Sequence, residues 1–348
     1  MTHLIRPCPD CGPRDGVNRR DFLRATGAAA LAAGALPTWA LADEPAAAAS
    51  QPETVVKLLY DSCSPEQRQA MCHEWDYVDP DRGLLRSRVE NNWHINAHEI
   101  NGEFYSDDQR AMIRHIFEGI YNPDWHKRID KQLEDDAGGY GNEQNIAIFG
   151  RPGEDKFQFV MTGRHMTVRC DGNSAEHLAF GGPIFYGHAA SGFDEAPDHP
   201  GNVFWPQAQA ANKVFEMLDG RQRALALVSQ RPHESEVAFQ GTGGQFPGIP
   251  LAELTSDQVE QVQKTLQALV EPYRQGDRDE VVACLDAQGG LAGCSLAFYQ
   301  DGDVGDDGVW DCWRLEGPAF VWYFRGAPHV HVWVNVASDP SPRLNANG

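Results

Sequence analysis

The chain has 348 residues, of which 41% are hydrophobic, with 34 Gly and 22 Pro. That is enough apolar material for a large core interrupted by many turns. A formal charge of -21 makes nucleic acid and anionic lipid surfaces poor partners, because an acidic chain repels both.

The N-terminal stretch carries an address. Asn18-Arg19-Arg20-Asp21-Phe22-Leu23-Arg24 precedes the weakly apolar run ATGAAALAAGALPTWALA, and Ala40-Leu41-Ala42 ends it. This resembles a twin-arginine export signal with an A-x-A cleavage site. Asn18 stands where Ser or Thr is usual, and Arg24 where Lys is usual. The resemblance implies a signal over residues 1–42, engagement of the twin-arginine translocase, folding before export, and a periplasmic or secreted protein. Past this segment no apolar run reaches the ~18 residues of a membrane span, so no stable membrane insertion is expected.

Cys8 and Cys11 fall within that signal, and an isolated pair lacks the four ligands of a structural zinc site. Cys63, Cys72, Cys170, Cys284, Cys294 and Cys312 remain in the mature part. In an oxidising compartment Cys63–Cys72 and Cys284–Cys294 are the short-loop disulfide pairs, with buried thiols as the alternative.

Residues 43–54 form an Ala-rich linker expected to be disordered. Helical patterning begins at Val55, and Ser64-Pro65 reads as a helix start. Residues 75–101 are irregular and hold His94, His98 and Glu99. Ser106 and Gln109 make a capping box for a helix to residue 120, with Met112, Ile113, Ile116, Phe117 and Ile120 inward. A second helix over 124–136 ends at Gly138-Gly139. A strand starts near 145. Residues 156–170 alternate as a covered strand, with Phe157, Phe159, Met161, Gly163 and His165 on one face. Asp171-Gly172 turns the chain into an extended segment over 178–187, suggesting a hairpin. Residues 189–201 are loop-like. Helices follow at 206–218 and 221–229. The Gly-rich loop 240–248 lacks the phosphate-binding pattern G-x-x-x-x-G-K-[ST]. Helices at 255–273 and 277–288 lead to strands at 295–300 and 309–315.

The last strands, within residues 318–340, read as a β-hairpin around Gly326-Ala327-Pro328. A three-residue loop sets Arg325 opposite His329 and Tyr323 opposite His331. Phe320, Trp322, Phe324, Val330, Val332, Val334 and Val336 then share an apolar face. Tyr323, Arg325, His329, His331, Trp333 and Asn335 share a polar, aromatic one. Two strand groups separated by helices, without a βαβ rhythm, indicate an α+β fold: mainly antiparallel sheet with helices packed against it. One domain over 55–340, with a tail over 341–348, is expected.

Several pieces carry a family resemblance: the run FVMTGRHM from Phe159 to Met166, the segment Gly182-Pro183-Ile184-Phe185-Tyr186-Gly187, the helix over 207–218, and His329-Val330-His331 with Asp339-Pro340 behind it. Together they resemble a family of secreted bacterial proteins known as domain of unknown function 3500, over residues 55–340. Relatives often carry a second His where this chain has Arg164, and Arg-Asp where it has Ser338-Asp339. The resemblance implies boundaries and export but no reaction.

The chemistry must come from the residues. His329 and His331 on one strand face stand about 7 Å apart along the strand and reach one ion. A third ligand is needed, and His165 and His188 are the candidates. Glu176 and Asp194 are candidate carboxylates. Imidazoles with an open position suit Zn, Cu or Fe. Without metal, Arg325 and the histidines grip an anion, Tyr323 and Trp333 stack on a ring, and His331 beside Tyr323 serves acid–base chemistry. These patterns support two functions: a metal-dependent periplasmic enzyme on a small molecule or saccharide, in which His331, Tyr323 and Arg325 are catalytic, or a non-catalytic binding protein.

Overall fold

A computed structural model describes residues 51–191, 201–305 and 308–347. The expected export signal and most of the expected linker therefore lie outside the described residues.

Helix α1 (Pro52–Ser62) starts three residues earlier than the hydrophobic pattern indicates. Pro52 opens it, where a missing N–H costs nothing, and Glu53 in its first turn pairs with Arg274 at 2.7 Å. Helices α2 (Pro65–Met71) and α3 (Asp107–Ile120) both begin with complete capping boxes, on Ser64 and Ser106. Helix α4 (His126–Ala137) ends on Gly138 at φ 69, the left-handed cap that glycine adopts without strain. The later helices are α5 (Trp205–Met217), α6 (Gly220–Ala226), α7 (Ser256–Val270) and α8 (Gln275–Ala287). Among the described residues no helix is long and apolar enough to cross a membrane.

Both strand groups join in one mixed sheet. The short strands β1 (Cys72–His73), β2 (Val78–Asp79), β3 (Gly83–Leu84) and β4 (Arg88–Val89) come first. The long ones are β5 (Gln144–Gly150), β6 (Phe157–Gly163), β7 (Met166–Cys170) and β8 (Ile184–His188). After β9 (Leu227–Val228) and β10 (Ile249–Pro250) come β11 (Ser295–Tyr299), β12 (Cys312–Gly317), β13 (Phe320–Arg325) and β14 (Val330–Val336). The sheet order is β1-β5-β6-β7-β8-β14-β13-β12-β11-β10, with β9 against β11. Among the described residues only β1 and β9 run parallel to their neighbours within it. The chain is thus α+β, as its pattern indicates.

Two expectations change. The run at 156–170 is not one strand. It folds back at Arg164-His165, with Gly163 opposite Met166. Residues after Pro340, expected as a tail, return as β15 (Asn345–Ala346) alongside β4. Asn345 anchors this return by donating to the carbonyls of Arg82 and Leu84.

Strand alternation sorts the side chains cleanly. Ile146, Met161, Tyr186, Phe298, Trp322 and Val332 face the helices in the main core. The opposite face is covered by irregular chain. Leu85, Trp93 and Ile95 lie on Ala147, Phe149 and Val160, and Val89 and Val237 join Tyr299, Tyr323 and Trp333. The polar face of the hairpin is therefore buried as well.

All six described cysteines are free thiols, so neither expected pair is a disulfide. Cys284 and Cys294 address different carbonyls, of His177 and Gly290, and burial pushes their thiols up, to about 11 and about 12.

Candidate metal centre

The hairpin register differs from a three-residue loop. Arg325 lies opposite His331, Tyr323 opposite Trp333 and Val321 opposite Asn335. Gly326 donates to Asp311 at 2.7 Å, towards the strand on the far side, which widens the loop. The slip is two residues, so every side chain keeps its face. His329, just before β14, and His331, within it, stay on the side away from the helices.

His165 reaches them from the tight turn between β6 and β7. Its φ of 54 is left-handed, uncommon for a residue with a Cβ. Gly187 of β8 lies opposite His331 and makes the room. A Cβ there would meet the Val330 carbonyl oxygen at 2.4 Å and the His165 Cγ at 3.3 Å.

The three imidazoles converge through one kind of atom. His329 Nε2 is 3.0 Å from His331 Nε2, which is 3.2 Å from His165 Nε2. All three ligand atoms lie within 4.8 Å of one another, and among the described residues no carboxylate or thiol joins them. Tetrahedral zinc with nitrogens about 2.0–2.1 Å away holds those nitrogens roughly 3.3 Å apart, so the set has the right size. The rings are 4–6% exposed, enough to exclude bulk water.

Carboxylates stand behind two of the rings. His331 Nδ1 meets Glu234 Oε2 at 2.7 Å, and His165 Nδ1 meets Asp136 Oδ2 at 2.9 Å. The Glu234 carboxylate on His331 Nδ1 holds the proton there and turns that ring's Nε2 lone pair to the centre, and Asp136 places a carboxylate beside His165 Nδ1. Glu234 also receives Arg325 and, at 3.2 Å, Trp333 Nε1. Asp136 receives Gln132 and the Ala189 N–H, each at 3.0 Å. Burial would raise both carboxyls, but these hydrogen bonds and the facing charges hold both low and ionised. Burial pushes His331 down to about 3, with the charges of Arg325 and His165 adding to it against the Glu234 hydrogen bond. A neutral imidazole is the form that binds metal.

Of the four histidines expected as ligands, the structure brings together His165, His329 and His331. His188 is apart. It lies opposite Val330 and therefore faces the helices. Its Nε2 is 2.9 Å from Asp135 Oδ2, and its Nδ1 accepts the Val203 N–H at 3.1 Å, so neither nitrogen is available. Tyr323 donates its hydroxyl to the Pro232 carbonyl at 3.0 Å, and Arg325 is held by Glu234. Both fasten segment 230–240 over the sheet, and Arg325 also donates to the His329 carbonyl at 3.3 Å. Glu176 is exposed near Lys156. Asp194 lies outside the described residues. His94 is exposed and His98 stacks on Phe104, so they form no pair.

The sequence reading missed Glu234 and Asp136. Glu234 follows His233 in a loop without periodicity. Asp136 sits in an acidic helix end that looks solvated. The adjacent pair Asp135-Asp136 was the available signal. Two surface clefts, of about 720 and 490 Å³, are lined by other residues.

No curated protein and no solved structure matches the chain. A family model described as "Protein of unknown function (DUF3500)" matches residues 46–333, which takes in His165, Glu234, His329 and His331. The chain belongs to that family.

Proposed function

We propose that this protein is an exported metal-dependent enzyme acting on a small molecule or saccharide, with His165, His329 and His331 as ligands of Zn, Cu or Fe. The carrying observation is the convergence of three buried Nε2 atoms at 3.0 and 3.2 Å. Lone pairs at that range repel unless a proton or a cation lies between them. With Nδ1 committed to a carboxylate on two rings, a cation balances the cluster and the two anions behind it. A divalent ion held by three imidazoles keeps a coordination position for water or substrate and supplies Lewis acidity there. Asp136 and Glu234 orient the rings, and Arg325 keeps Glu234 ionised. The twin-arginine signal fits a protein that takes up its metal before export.

The non-catalytic alternative, a groove of His, Arg and aromatic groups, draws on Tyr323, Arg325 and Trp333. All three already have internal partners, which favours the metal reading.

Elemental analysis of the mature exported protein, beside a His329→Ala/His331→Ala variant, tests the centre. Near-stoichiometric metal in the first and none in the second is expected. Metal in neither, with both folded and no chelator used, sinks the reading. Cobalt substitution then tests catalysis. An open position makes the visible spectrum shift with azide, and a spectrum indifferent to small anions means a closed, structural ion.

A further inference from the structure

Segment 230–240 has two sides. One presents Glu234 to the histidines. The other borders the cleft of about 490 Å³, whose floor includes Tyr299 of β11 and Arg314 and Glu316 of β12. That volume is in the usual range for small-molecule sites.

The floor holds unmet hydrogen-bonding capacity. Tyr299 is fully buried, and its hydroxyl has no partner among the described residues. Arg314 is 5% exposed, and its Nε is likewise unpartnered. Its other nitrogens donate to the Glu236 carbonyl at 2.7 Å and to Glu316 Oε1 at 2.6 Å. Gln240 donates to the same Oε1 at 2.9 Å. Native proteins rarely leave buried donors unmet, so two on one cleft floor mark a place where something else supplies the bond.

We infer that this cleft binds a neutral, hydroxyl-rich small molecule such as a sugar ring. Charge excludes an anion as the preferred ligand. Arg314 is neutralised by Glu316, and Arg231 at the rim lies 3.5 Å from Asp301. The polar groups pair donors with acceptors: a guanidinium N–H, a hydroxyl that does both, and a carboxylate. A diol complements that set, because each hydroxyl gives one bond and takes others. Pro232 and Pro247 offer apolar surface for the C–H face of a sugar. The inference goes beyond the proposed function, because the cleft lies on the other side of segment 230–240 from the histidines. The cleft also shares Pro232 with the segment that carries Glu234, although binding there does not need the metal.

The test is calorimetric titration of the full chain with glucose, galactose, N-acetylglucosamine and cellobiose, using glucuronate as the anionic control. Metal-loaded and chelator-stripped protein are both titrated. At least one neutral sugar is expected to saturate in both forms. Tyr299→Phe is expected to weaken it about 10-fold without lowering Tm, because the hydroxyl removed has no protein partner. No saturating neutral sugar, preference for glucuronate, or undiminished binding by Tyr299→Phe each overturns the inference. Sugar binding without stoichiometric metal would fail the metal centre alone. Stoichiometric metal without sugar binding would fail the cleft alone.

Discussion

The two faces of the central sheet are equally dry and differently built. Trp322 faces the helices and Tyr323 the irregular covering chain, and both are fully buried. A helix satisfies its own backbone, so the face it covers is almost wholly apolar. Irregular chain brings unpaired carbonyls, and the sheet answers with polar side chains. Arg169 donates to the carbonyls of Pro183, Arg86 and Arg88. Arg314 serves Glu236, Tyr323 serves Pro232, and Asn335 serves Val237 at 3.0 Å. Most polar residues on this face are therefore anchors. What sets His165, His329 and His331 apart is that their Nε2 atoms converge on one another.

If the helix face is where apolar burial holds the fold, Trp322→Ala is the most damaging single change. It empties a site in the main core and removes the Trp322 Nε1 donor, 3.0 Å from the Tyr186 hydroxyl, which keeps only its own bond to Gln207 at 2.8 Å. A loss of about 3–5 kcal/mol in denaturant unfolding is expected. A loss below that of an anchor mutation would break the comparison.

Asp171 sharpens it through pH. The buried carboxylates of the covered face have cationic or imidazole partners. The Asp171 carboxylate, just past β7, has among the described residues only the N–H groups of Asn173 and Ala175 as hydrogen-bond donors. Burial dominates and raises its carboxyl to about 6 from 3.8. The native state then holds a proton that the unfolded state releases, so this group adds stability as pH falls from about 6 towards 4 and costs it above 6. The amplitude is on the order of 3 kcal/mol. Asp171→Asn should flatten that part of the stability profile, and an unchanged profile would show the carboxylate to be ionised in the fold.

How much of this was legible in the sequence depended on whether a feature is local. Capping boxes at Ser64 and Ser106 and the stripe at Ile113, Ile116 and Phe117 are local, and the helices begin where they indicate. The parity of the hairpin survived a two-residue register error, because period-two alternation does not feel an even shift. The turn at Arg164-His165 was hidden, since neither residue type announces a hairpin and alternation continues across it. His188 looked like a neighbour of the pair, yet a one-residue offset set it on the other face. The covering chain was least legible, because nothing periodic ties residues 230–240 to β14.

Asp135 and Asp136 let that offset be tested directly. They are adjacent, but one serves His188 and the other His165. Asp136→Asn should weaken metal binding about 10-fold in competition with a chromophoric chelator, because an amide still accepts the Nδ1 proton but no longer balances the ion's charge. Asp135→Asn should leave metal affinity unchanged. Equal losses would mean that the helix end acts through its overall charge, not through His165.

The smallest expected effect concerns the anchors. Tyr323→Phe removes one hydroxyl and leaves the Pro232 carbonyl without its donor. The ring stays packed between Tyr299 and Trp333, so the loss is that of one hydrogen bond, about 1 kcal/mol in denaturant unfolding. If Tyr323 is only an anchor, metal stoichiometry stays intact and hydrogen exchange quickens at residues 230–240 and not on the helix face. Unaltered exchange there, with turnover lost on a substrate once found, would return Tyr323 from the anchors to the chemistry.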